Sequence, residues 1–439
     1  MNFLSFKILT VLLLAFVIST TSFGQSDTTF VPENKGYKLV YKDEFNTIGT
    51  PNLNDWLFRV NKKFGGASVK ENVFQGIAYD GSKNGCLLIP FTYDSTLSEG
   101  NQFKGGGVVS THNFGYGYYE TRVKLYGGSK ELSGLHQSFW SMGLTGTNEG
   151  EGKGVRDSLV NADLFPQENR VLEIDGFEQN SKDNILSQNY HIYTPTHLME
   201  APKNSHIKQD LSQWIVIGYE WLPDRINFYC NGKYSSTKFL NDKWKVYAPQ
   251  NFWLTALPVN LKSWGGLVIP PKNAAMQVDY FRFYTKKQNG INLIGNNSFE
   301  YGAEKNTYPI AWIASRTKAN IEEAIKVVTD SAEAKEGKRF LEMKYAKSFK
   351  ASTKQILEFI PNGEYNISAW VKCSKGNKAS LLANSGTNKK VIQVAPSNEW
   401  KRVDIKGLKV IDNKAIIEFT CDAAANESLK VDNVEFVLN

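Results

Sequence analysis

Glu173-Ile174-Asp175-Gly176-Phe177-Glu178 places three carboxylates in one short run, with apolar side chains at Ile174 and Phe177. Side chains of an extended strand alternate in direction, so Glu173 and Asp175 share one face and Glu178 falls on the other. A β-bulge around Gly176-Phe177 adds a residue, bends the strand and returns Glu178 to the face of Glu173, while Ile174 stays on the core side. All three acids then look into one groove.

Retaining glycosidases use two carboxyl groups about 5 to 5.5 Å apart, one as nucleophile and one as proton donor. At a rise of about 3.3 Å per residue the two glutamate Cα atoms lie roughly 13 Å apart, so long, leaning side chains must close the gap. Taken alone, an E-x-D-x-x-E pattern reads more often as a calcium-binding or solvated acidic strand than as a catalytic one. The flanking sequence changes that balance.

Ahead of the acidic run stand Lys42-Asp43-Glu44-Phe45-Asn46, then Asp55-Trp56, Tyr116-Gly117-Tyr118-Tyr119-Glu120-Thr121-Arg122-Val123-Lys124 and Ser138-Phe139-Trp140. After it come Tyr219-Glu220-Trp221-Leu222-Pro223-Asp224-Arg225-Ile226-Asn227-Phe228-Tyr229 and Val278-Asp279-Tyr280-Phe281-Arg282-Phe283-Tyr284. In this order, from about Tyr37 to Lys287, the chain resembles glycoside hydrolase family 16, the concanavalin-like endo-glycanases that include laminarinases, agarases, porphyranases and carrageenases. The resemblance implies an all-β sandwich of the jelly-roll type, with Glu173 as nucleophile, Glu178 as general acid/base and Asp175 as the assisting acid between them. Three crowded carboxylates do not all ionise cheaply, so one pKa is expected to rise, and the proton is expected on Glu178.

The resemblance also places Trp140 on a strand beside the catalytic one, as a platform for sugar rings, whose C–H faces stack on aromatic planes. Trp56 and Trp221 fall at packing positions, whereas Trp253 and Trp264 stay undecided between core and groove. His191, in the strand after the acidic one, and His136, just before Phe139-Trp140, are candidate substrate contacts; a lone histidine is more often a satisfied structural group. No His or Cys spacing makes a zinc site. Many family members carry a structural calcium, and the matching side chains are Glu44 and Asp279, although two carboxylates are few ligands for that ion. No other cofactor is expected.

The remaining texture agrees with an all-β reading. Short alternating runs such as Tyr118 to Leu125, Trp214 to Glu220 and Ile226 to Cys230 are separated by turn signals, among them Asp80-Gly81 and Asn231-Gly232. Lys7 precedes an apolar run from Ile8 to Ile18 that is too short to span a bilayer, and Ser22-Phe23-Gly24 supplies small residues before Gln25. Residues 1–24 therefore read as a cleaved secretory signal, placing the protein outside the cell, in a periplasm or at the cell surface. No later stretch is apolar enough to cross a membrane.

The 439 residues, 41% of them hydrophobic and 13% aromatic, suffice for a large core and suggest two domains. Residues 25–288 form the expected catalytic domain. Beyond the polar Lys286-Lys287-Gln288-Asn289-Gly290, residues 289–439 open with Asn296-Asn297-Ser298-Phe299-Glu300 and close with Val431-Asp432-Asn433-Val434-Glu435-Phe436, which resembles the galactose-binding-like jelly rolls of carbohydrate-binding modules. Trp312 and Trp400 are its candidate platforms, or core. A net charge of +7 without a basic block argues against nucleic acid and is compatible with an acidic polysaccharide. The expected partner is a polysaccharide, with the chain a monomer.

Cys86 and Cys230 lie in the first half, Cys373 and Cys421 in the second. Export permits disulfides; Cys373 with Cys421 is the favoured pair, and Cys86 and Cys230 read nearly as well as buried free thiols. As to substrate, family laminarinases usually follow their acidic strand with an aromatic and a glycine. Here Glu178-Gln179-Asn180-Ser181 follows, and His136-Gln137-Ser138 replaces the usual apolar residues. The expectation is a red-algal-type galactan, with β-1,3-glucan second and a lectin that binds without cutting third. Residues 145–170 join two groove strands. They are expected to form a hinged wall, with Lys153 and Arg156 facing the substrate.

Overall fold

The computed structural model describes residues 29–63, 65–127, 133–142, 159–160, 172–180, 182, 184–193, 199–240, 247–301, 307, 309–317 and 324–439. The signal segment, Lys153 and Arg156 lie outside the described residues. Strands and short 3-10 turns account for the regular structure, and no helix among the described residues is long and apolar enough to cross a membrane. The fold is all-β.

Residues up to Thr285 supply an 8-stranded and a 12-stranded sheet. They pack on each other through one face each, because alternate residues of their strands are apolar and large. Phe139, Ile174, Phe177, Phe252 and Leu254 come from the larger sheet, and Tyr119, Val123, Tyr219, Phe228 and Phe281 from the smaller. Phe252 and Phe281 stack across the layers with ring centroids 3.7 Å apart. Burying each such ring stabilises the fold by roughly 1.5–3 kcal/mol.

Turn chemistry sets the register where the sequence says it should. Asn231 and Gly232 have φ of 50° and 72°, the two left-handed residues that a tight hairpin needs between Arg225–Cys230 and Lys233–Phe239. Pairing is antiparallel almost throughout. The exceptions are Gly66–Ser68, parallel to the strand Phe103–Ser110, and, at the edge of the larger sheet, Leu159–Val160, parallel to Phe58 and Arg59. These two residues of the long connection are thus held to the sheet by strand pairing, and the rest of the expected hinged wall lies outside the described residues.

Two 5-stranded sheets follow, built from residues 313 to 438, around a second core that includes Trp312, Leu381, Phe419 and Phe436. Trp312 is fully buried and belongs to that core, whereas Trp400 is half-buried with its indole N–H donating to the Glu333 carbonyl. The two cores meet. Tyr301 and Ile310 pack with the first core although they follow residue 288, and Phe359 leans on it as well. All four cysteines are buried free thiols, so the expected Cys373–Cys421 bond is absent. Instead Cys421 Sγ donates to Asn377 Oδ1 at 3.3 Å.

Candidate active site

The strand Leu172–Gln179 lies between Leu135–Met142 and Ile185–Tyr193 in the larger sheet. Against the first neighbour, Phe139 faces Phe177 and Trp140 faces Asp175, so Gly176 is one residue too many. Against the second, Asp175 faces Asn189 and Glu178 faces Ser187, and the register slips in the same place. That is the expected bulge. Leu172, Ile174 and Phe177 enter the core, leaving Glu173, Asp175 and Glu178 on the opposite face.

Glycine is needed at the bulge for lack of room. A Cβ on Gly176 would sit 2.5 Å from the Phe139 ring and 3.1 Å from that of Tyr219. Bulging also leaves the Gly176 carbonyl without a ladder partner, and Gln188 supplies one, its Nε2 donating at 3.1 Å. Gln188 is in turn held by the Ser235 hydroxyl.

Two histidines flank the acids. His191 faces Glu173 in the register, and its Nε2 lies 3.1 Å from Asp175 Oδ2. Ligand atoms of Glu173, Asp175 and His191 all fall within 4.8 Å of one another. On the other side His136 Nε2 stands 3.4 Å from Glu178 Oε1, while its Nδ1 meets Asn180 Oδ1 and its ring lies 4.3 Å from that of Trp264.

These neighbours decide where protons sit. Burial drives the Asp175 carboxyl well above its ordinary range, and the charges of Glu178 and Glu173 add to this against the His191 contact. For Glu178 burial also acts upward, but the hydrogen bond and charge of His136 and the charge of His191 outweigh it and hold the carboxyl below its usual value. The expectation of a raised Glu178 is therefore corrected: the acid pushed upward by burial and crowding is Asp175, the one buried between the other two. Burial pulls His191 down, yet its bond to Asp175 and the three carboxylate charges win and raise it to about 9. At neutral pH it is an imidazolium.

Trp140 lies on the same face, half-buried, across from Asp175. Its ring stacks on Trp253 at 4.7 Å, and its indole N–H donates to Thr255. The Arg59 guanidinium lies over both indoles, 5.6 and 5.3 Å from the ring centroids. With Leu57, Val109 and Met142, these tryptophans make an apolar platform on the site face, separate from the core between the sheets. Trp253 and Trp264 thus both belong to the site face, and Trp56 and Trp221 to the core.

Arg59 and Thr255 escaped sequence reasoning, although their alternation with the core residues Phe58 and Leu254 carried a signal. Asn180 had none, and Trp264, which the sequence left undecided between core and groove, is brought to His136 only by the fold.

Glu44 and Asp279 do not fit a calcium site. Glu44 takes both its oxygens to Arg282, at 2.9 and 3.0 Å, and Asp279 is held by Arg122 and by Lys83 at 2.8 Å. Each carboxylate is neutralised by its own cations, and the two share no partner among these. Strand pairing explains the choice, since Arg282 and Asp279 lie on one strand beside Arg122.

No family model and no curated protein matches the sequence. Solved structures similar to it include TmCBM61 in complex with β-1,4-galactotriose, 25% identical, covering 35% of this chain and 100% of that one with a TM-score of 0.30. SCLam, a non-specific endo-β-1,3(4)-glucanase from family GH16, is 21% identical over 57% of this chain and 92% of its own, TM-score 0.43. The laminarinase from Flavobacterium sp. UMI-01 is 18% identical over 56% of this chain and 100% of its own, TM-score 0.42. At these scores the likenesses add nothing to the sheet topology already described, and residue roles rest on the geometry of the site.

Proposed function

We propose that this chain is a secreted retaining endo-β-glycosidase. The observation that carries the reading is the single extra residue at Gly176, which puts Glu178 on the face of Glu173 and Asp175 beside a tryptophan platform. In this reading Glu173 attacks the anomeric carbon while Glu178 protonates the departing oxygen. Water assisted by Glu178 then releases the sugar from Glu173. Asp175, buried between them and facing His191, is the assisting acid of this reading. A lectin on the same sandwich has no use for a bulge that gathers three acids.

For substrate we infer a red-algal-type galactan, agar-like or sulfated. The polar run His136-Gln137-Ser138 and the Gln179-Asn180 continuation of the acidic strand, which depart from the laminarinase pattern, support that reading. Residues 289–439 serve, in this reading, as a carbohydrate-binding module. Purified protein incubated with agarose, porphyran, κ-carrageenan and laminarin, with products sized and their anomers read by NMR, tests all of this. Retained anomers from a galactan support it. Cleavage of laminarin alone replaces the substrate reading, inverted anomers overturn the mechanism, and binding without cleavage favours the lectin.

A further inference from the structure

We propose that His136 is a positioning residue that shares one proton with Glu178 and hands it back between the two halves of the reaction. This rests on the reading of Glu178 as the acid/base. The argument starts from Asn180, whose Oδ1 faces His136 Nδ1. An amide oxygen only accepts, so Nδ1 carries a hydrogen, and Nε2 is the ring atom turned to Glu178 Oε1 at 3.4 Å. Two arrangements satisfy that contact. Either Glu178 is the carboxylic acid and donates to a neutral ring, or the ring is an imidazolium and donates to a carboxylate. Both hold one proton between the two groups.

The fold fixes this geometry from three separate segments. Gly134 is clamped, its N–H donating to the Gly266 carbonyl at 2.6 Å and its carbonyl accepting from Val259 at 2.7 Å. A Cβ there would lie 2.0 Å from the Val259 oxygen, so the clamp demands glycine. The clamp ties the turn bearing Trp264 to the start of the His136 strand, and the indole covers the imidazole. His136 is almost fully buried, with 5% of its side chain exposed, so bulk water does not readily replace the proton. Other ionisable groups acting on the pair are His191 and Asp175, with Glu173 acting on Asp175.

At rest the pair holds one proton between Nε2 and Glu178 Oε1. When the glycosidic oxygen approaches, the proton moves to Glu178 and on to that oxygen as the bond to the anomeric carbon breaks and Glu173 bonds that carbon. The ring is then neutral. In the second half Glu178 removes a proton from water as the water oxygen attacks the same carbon and the bond to Glu173 breaks. That proton settles again between Glu178 and Nε2. One water is consumed, one glycosidic bond is cleaved, and no other reactant is needed.

Titration of the full-length protein labelled with 15N-histidine tests the shared proton without any substrate. Nδ1 should keep its hydrogen throughout, Nε2 should titrate, and in Glu178→Gln the His136 midpoint should move to lower pH. A hydrogen on Nε2 with bare Nδ1, or an unchanged midpoint in Glu178→Gln, overturns the proposal. On whichever polymer of the panel is cut, His136→Gln should lower kcat roughly 10-fold, less than the about 100-fold or more that a general acid itself is worth. It should also move the alkaline limb of kcat/KM to lower pH, because a lone carboxyl holds the proton less well than the pair. An unmoved limb, or one shifted upward, overturns the relay. If His136→Gln does not fold, His136→Asn takes its place. If wild type cuts no polymer, the glycosidase reading fails, and the titration still decides the shared proton.

Discussion

At the scale of single residues, ionisation separates the acids that the sequence lists together. Glu173→Ala should abolish turnover on polymer while leaving binding measurable by calorimetry, and azide should restore part of the rate as an external nucleophile. Glu178→Ala should lose least on substrates with good leaving groups. Full activity of Glu173→Ala on polymer would remove it from the mechanism. His191 gives a stability prediction with a definite sign. Its folded pKa of about 9 stands above the ordinary imidazole value, so its contribution is complete below about pH 6.5 and disappears as pH rises through 9. With most of the side chain buried, the shift corresponds to on the order of 3 kcal/mol. Thermal melts of wild type and His191→Gln should therefore differ most in mildly acidic buffer and converge above pH 9; a constant gap would show that the charge plays no part.

At the scale of elements, the bulged strand is where sequence pattern and packing agree most closely. Gly176 is required by the Phe139 and Tyr219 rings, not by a left-handed backbone, since it is absent from the positive-φ glycines. Gly176→Ala should destabilise by about 1–3 kcal/mol through overpacking. Any relaxation that relieves the clash displaces Glu178 relative to Glu173, so kcat should fall more than stability alone accounts for. Urea melts beside kcat on the same sample check this, and wild-type kcat in a folded Gly176→Ala would show that the bulge tolerates a side chain. Strand pairing of Leu159–Val160 with Phe58–Arg59 extends the sheet next to the Arg59 end of the platform. Periodicity gave no hint of so short an edge strand, because two residues carry no period.

At the scale of the whole molecule, the two units are joined by an aromatic plug and an ion cluster. Phe359, held at φ 55°, stacks on Phe114 at 4.9 Å and lies 5.2 Å from Tyr41. A left-handed backbone at a phenylalanine costs about 1–2 kcal/mol, which the burial of the ring offsets. Beside it Glu358 accepts from the Asn113 N–H and faces His112 at 3.5 Å, and His112 reaches Asp55 at 2.9 Å on its other nitrogen. Truncation after Lys287 uncovers Phe114 and Tyr41. The shortened chain should melt at lower temperature, and Phe359→Ala in the full chain should cost about 2 kcal/mol. His112 is raised, burial notwithstanding, by Glu358 and Asp55, and Glu358 is lowered, burial notwithstanding, by His112. Their mutual support is complete between about pH 4.5 and 6.5, the ordinary values of the two groups. It fades above the raised His112 value and below the lowered Glu358 value. Melting curves across pH for wild type and Glu358→Gln should diverge in that window, and parallel curves would dismiss the cluster.

Local pattern alone determined the all-β class, the Asn231-Gly232 hairpin and the bulge that turns Glu178 toward Glu173, because alternation and turn residues are properties of neighbours in sequence. The family resemblance placed Trp140 beside the acids, and the order of the strands placed His191 there. Only the tertiary structure decided that Asp175 and not Glu178 is the acid pushed upward, that Asn180 and Trp264 frame His136, and that Glu44 and Asp279 are taken by arginine and lysine. It likewise left Cys373 and Cys421 apart and set Phe359 into the first core. Each of these depends on burial or on a charge brought from a distant part of the chain. Ionisation and docking energies are set by such neighbours in space, which a one-dimensional pattern does not contain.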